Sequence, residues 1–85
     1  MAKASRLLQF KVLIEQDEDG LYIVSVPELP GCYTQAKTLE EARKRIKETI
    51  RLVLESDAKI KSEKLRSPQA ASRFFGTEDI QLQYA

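Results

Sequence analysis

From Leu8 the chain alternates. Leu8, Phe10, Val12 and Ile14 fall on one side of an extended backbone, Gln9, Lys11 and Glu15 on the other, with Leu13 as the exception. A period of two predicts a half-buried strand. Residues 17–20 read DEDG. Asp and Gly suit a tight reversal, and Gly20 reaches positive φ without strain. The run LYIVSV follows, rich in β-branched and aromatic residues, with Tyr22, Val24 and Val26 on one face and Leu21, Ile23 and Ser25 on the other. The two runs predict an antiparallel hairpin.

The pattern then breaks at PELPGC. Proline fixes φ and donates no backbone hydrogen bond, so Pro27 and Pro30 end the second strand or hold it at an edge. Gly31 releases the chain from the turn, and Cys32 opens a short third strand, CYTQ. This corner of Pro27, Pro30, Gly31, Cys32 and Thr38 is read as structural, with a presented surface as the competing reading.

TLEE at residues 38–41 has the form of a capping box, the Thr38 hydroxyl accepting from the Glu41 N–H and the Glu41 carboxylate reaching back. A helix is predicted from about residue 39 to 57. Leu39, Ala42, Ile46, Ile50, Val53 and Leu54 form its apolar stripe. Glu41/Arg45, Lys44/Glu48 and Arg51/Glu55 are its i, i+4 pairs. Residues 58–78, polar and broken by Pro68, read as a frayed helix end and a loop. Ile80, Leu82 and Tyr84 alternate again and predict a final strand over 79–85. The expected fold class is α+β: β-β-β-α-β, an antiparallel sheet of three or four strands with one long helix on one face. One domain is expected over 1–85, with its core at about 8–57.

Composition narrows the chemistry. The 85 residues include one cysteine and no histidine. No intrachain disulfide is possible, and the commonest general base and the usual zinc ligand are missing. No stretch is apolar enough to span a membrane, and the first residues lack the apolar run of a signal peptide, so the expectation is a cytoplasmic protein. A chain this small gains stability by pairing, which predicts a homodimer or homotetramer. The net charge is +1, yet the charges are segregated. Glu15, Asp17, Glu18, Asp19 and Glu28 lie together along the chain. Lys59, Lys61, Lys64, Arg66 and Arg73 form a basic set further on, next to Phe74 and Phe75.

The segment DEDGLYIVSVPELPGCYTQAKTLEEARKRIKETI resembles the HicB-like antitoxin domain. The carriers are the acidic hairpin turn, VPELPGC and the helix start TLEEA, and the resemblance covers about residues 8–55. Ala36 stands where that family usually has Gly or another small residue. The resemblance implies a partial ribonuclease-H-like fold. It also implies a role in binding and silencing a small HicA-type toxin that cleaves mRNA with a histidine. Many relatives carry a C-terminal DNA-binding domain as well. This chain is expected to be a single-domain relative, which leaves operon autoregulation and a cognate toxin open.

Each candidate chemistry has a plainer competitor. The acidic tip does not match an EF-hand loop, and a solvated turn explains it without a metal. Ribonuclease-H chemistry needs a carboxylate in the middle of the first strand, where this chain has Phe10, Lys11, Val12 and Leu13. Cys32 has no histidine to activate it and reads as a small buried hydrophobe. No catalytic residue, cofactor or metal is expected, and the chain is not expected to be an enzyme. The leading reading is an interaction protein whose acidic residues Glu15, Asp17, Glu18, Asp19 and Glu28 meet a small basic toxin. The alternative is an RNA- or DNA-binding module using Lys59, Lys61, Lys64, Arg66 and Arg73, with Phe74 and Phe75 as stacking groups.

Overall fold

The computed structural model describes residues 6–70 and 76–84. Three strands, β1 (Leu13–Gln16), β2 (Tyr22–Ser25) and β3 (Tyr33–Ala36), form an antiparallel sheet in the order β1-β2-β3. The register places Ile14 opposite Val24 and Val24 opposite Thr34, with Gln16, Tyr22 and Ala36 aligned one step along. Alternation therefore puts Tyr22, Val24 and Ala36 on one face and Leu13, Ile23 and Tyr33 on the other.

Helix α1 (Leu39–Ser56) covers the first of these faces, packing on β2 and β3. Ala42 and Ile46 are buried against Val24, Val26, Leu29, Cys32 and Ala36, and Ile50 and Val53 pack on the same cluster. The Thr38 hydroxyl caps α1 by accepting from the Glu41 N–H at 3.1 Å. The reciprocal half of the expected capping box is replaced, because Glu41 pairs with Arg45 at 2.6 Å. Arg45 also donates to the Gln35 carbonyl at 2.8 Å, tying the helix to β3. Among the described residues the spaced pairs Lys44/Glu48 and Arg51/Glu55 do not form.

Three expectations change. The first strand is shorter than its alternation: pairing begins at Leu13, opposite Ser25, because Pro27 ends the partner strand two residues later. Residues 58–66, expected as a frayed helix end running into a loop, form a separate second helix, α2 (Ala58–Arg66). Asp57 closes α1 and starts α2, its carboxylate accepting from the N–H groups of Lys59 and Ile60 at 3.1 Å each. That cap, with Ile60 packed on the core, outweighs the polar composition. Residues 76–84, expected to contain the final strand, pair with no strand among the described residues, and Ile80, Leu82 and Tyr84 are exposed.

Candidate functional site

The hairpin tip is held by one of its own acids. Asp17 donates its N–H to the Leu21 carbonyl at 2.9 Å, and its carboxylate accepts from the N–H groups of Asp19 and Leu21 at 2.9 Å each. Gly20, at φ +86°, donates back to the Asp17 carbonyl. An Asx-type brace of this kind fixes a reversal. Asp17 is thus committed to the turn. Glu18 and Asp19 are exposed beside it and take no part in these bonds through their carboxylates. Glu15 is exposed on the sheet face away from α1, across from Ile23.

The corner after β2 is two linked turns. Leu29 N–H donates to Val26 C=O, and Cys32 N–H to Leu29 C=O, both at 3.0 Å. Pro27 and Pro30 each take the second turn position, which favours their fixed φ, and Gly31 takes the third position of the second turn at φ +81°. Val26 N–H then donates to Cys32 C=O at 3.0 Å, closing the loop where β3 departs. Leu29 and Cys32 are driven inward as a result. Burial pushes the Cys32 thiol above its ordinary pKa, away from the thiolate that chemistry would need.

Glu28, at the crown of this corner, does not join the acidic tip. It meets Lys64 of α2, Nζ to carboxylate 3.3 Å. Lys64 is only 7% exposed. Its ammonium also donates to the Gln69 carbonyl at 2.8 Å and sits 4.2 Å from the centre of the Phe10 ring. Three kinds of partner therefore satisfy one buried cation. The polar look of residues 58–66 concealed this, since nothing in a single lysine distinguishes a buried position from a solvated one.

The basic set is likewise divided. Lys64 is turned inward. Lys59, Lys61 and Arg66 are exposed on α2, and Lys61 and Arg66 border a shallow hollow together with Arg6. Arg73, Phe74 and Phe75 lie outside the described residues.

The sheet's outer face was missed by the sequence reading. Leu13 and Ile23 are half-buried there with neither α1 nor α2 over them, and Tyr33 is 67% exposed. The signal was available: Leu13 breaks the alternation of its strand, and an apolar residue on the polar side points to a second use of that face.

Among the described residues, no cluster of three or more His, Cys, Asp or Glu side chains is placed to hold a metal ion. None of the described helices is long and apolar enough to cross a membrane. A braced hairpin and a three-stranded antiparallel sheet with a long helix on one face define a small α+β domain. The chain belongs to the HicB-like antitoxin family of bacterial toxin–antitoxin systems, whose pattern its residues 10–79 match.

Membership supports an antitoxin-type role. The chain is similar to a UPF0150 protein of Archaeoglobus fulgidus, 58% identical over 48 residues, covering 56% of this chain and 70% of that protein. It is similar to another of Thermoplasma acidophilum, 55% identical over 49 residues, covering 58% and 71%. A third, from Synechocystis, is 53% identical over 47 residues, covering 55% and 68%. No solved structure matches the chain.

Proposed function

We propose that this chain binds and neutralises a small, basic, HicA-like mRNA-cleaving toxin, and that Glu15, Glu18 and Asp19 are the acids that meet it. The observation carrying this reading is the division of labour at the hairpin tip. Asp17 spends its carboxylate on the turn, which leaves Glu18 and Asp19 held out on a rigid support. Glu15 extends the acidic surface onto the outer sheet face, where Leu13, Ile23 and Tyr33 supply apolar contact area. A toxin that grips RNA carries a basic surface, and fixed acids speed its capture. Glu28 has no direct part in this contact, because Lys64 already holds it.

Replacing Glu18 and Asp19 together by Lys is expected to weaken toxin binding about tenfold or more at low salt, mostly through slower association. The loss shrinks as salt rises. Biolayer interferometry against the co-purified partner measures both, and the thermal midpoint should stay within a degree or two. Unchanged affinity would place the contact elsewhere. Recovering the tagged chain from its native host supplies the partner, and this reading expects a stoichiometric small basic protein containing histidine.

A second reading rests on Arg6, Lys61 and Arg66 bordering one hollow. Three cations so placed would take a nucleic-acid phosphate backbone, with affinity falling steeply as salt is added. The inward turn of Lys64 weakens it, and absence of a gel shift at low salt removes it.

A further inference from the structure

Helix α1 packs on β2 and β3 but not on β1. The space it leaves is a cleft of about 330 Å³ between α1 and the β1 side of the sheet. Phe10, Val12, Ile46 and Ile50 give it apolar walls, and Arg43 and Lys47 also line it. The cleft has the position of a fourth strand. β1 is an edge strand, so its outer backbone groups have no ladder partner among the described residues.

The same chain carries an unpaired strand sequence. Ile80, Leu82 and Tyr84 alternate with polar residues in sequence and are 82%, 82% and 93% exposed. Glu78 and Asp79 precede them, and no basic residue lies in 76–84. The acids would meet Arg43 and Lys47 as the apolar side chains enter the cleft. The molecule is also drawn out. Its radius of gyration is 15.8 Å and its longest dimension 64 Å, against about 12 Å expected for the radius of a compact chain of this length. The tail thus stands exposed while its own cleft stays open.

We propose that two copies exchange these tails. Residues 79–84 of each chain add as a strand along the β1 edge of the other and seat Ile80, Leu82 and Tyr84 in its cleft. Reciprocal insertion gives a closed two-fold pair, buries three of the large exposed apolar side chains and covers the β1 edge of each copy. It also supplies the apolar area that a chain of this size lacks. The pair forms whether or not a toxin binds, so its failure and the failure of the antitoxin reading are separate results.

Sedimentation of the full chain at tens of micromolar is expected to give a dimer. Leu82→Asp is expected to give a monomer with an unchanged helical circular dichroism signal, because Leu82 is 82% exposed in its own chain. The direction of insertion is read by crosslinking. Two chains of different mass, one carrying Val12→Cys and the other Leu82→Cys, are co-refolded from urea and treated with a short bismaleimide. Buried Cys32 stays unreactive. A covalent product combining both masses supports exchange. A wild-type monomer overturns it, as does a dimer that survives Leu82→Asp. Crosslinking found only within single chains that carry both cysteines shows the tail folding onto its own cleft, which also overturns it.

Discussion

Gly31 shows how much one residue settles. It sits at φ +81°, and open space lies where a Cβ would be built. A side chain there meets no neighbour, so the cost of substitution is purely conformational. Gly31→Ala is expected to lower stability by about 1–2 kcal/mol. Gly31→Asn should lose less, because Asn tolerates the left-handed region. Urea unfolding of both variants measures the difference, and equal losses would locate the cost in packing instead. The role of Pro27, Pro30 and Gly31 was legible in the sequence, because backbone restrictions are local. Asp17 was only half legible: its place in the turn could be read, but its carboxylate bonds to the N–H groups of Asp19 and Leu21 are set by the folded backbone of the turn.

At the scale of elements, α2 was the main surprise. Its residues are polar enough to read as loop, and Pro68 follows closely. Yet Asp57 accepts from two N–H groups of its first turn, and Ile60 anchors it to the core. Asp57→Ala is expected to cost about 1–2 kcal/mol and to fray α2 before α1. Hydrogen exchange at residues 58–66 reads this directly, and unchanged protection there would show that packing alone holds the helix. By contrast, α1 was plain from its stripe and cap, since both signals lie within a few residues of each other. The first strand was overread because alternation marks a buried face, whereas a ladder also needs a partner, and Pro27 withdraws it.

Across the whole molecule, Lys64 and Glu28 tie together segments 36 positions apart. The pair fastens α2 to the corner and, through the Phe10 ring, to the start of the β1 segment. Glu28 is 19% exposed, so removing its partner leaves a poorly solvated carboxylate. Lys64→Ala is expected to cost roughly 2–4 kcal/mol. Pairing Lys64→Met with Glu28→Gln should recover much of that, because Met keeps the apolar stem and Gln needs no counter-charge. A double-mutant cycle by urea denaturation gives the coupling, and additive losses would mean that the two groups act independently.

Those two residues also mark the limit of the sequence. By itself it determined the hairpin, the rigid corner, the capped helix, the α+β class and the family pattern. Each rests on periodicity, backbone restriction or hydrogen bonds between near neighbours. Tertiary structure decided which charges remain available to a partner. It turned Lys64 inward onto Glu28, spent Asp17 on its own turn, and left Glu18 and Asp19 exposed. It also left the β1 side of α1 open and the tail unpaired. The physical reason is that a charge's solvation depends on segments far away in the chain, and a strand's pairing depends on which edge remains free.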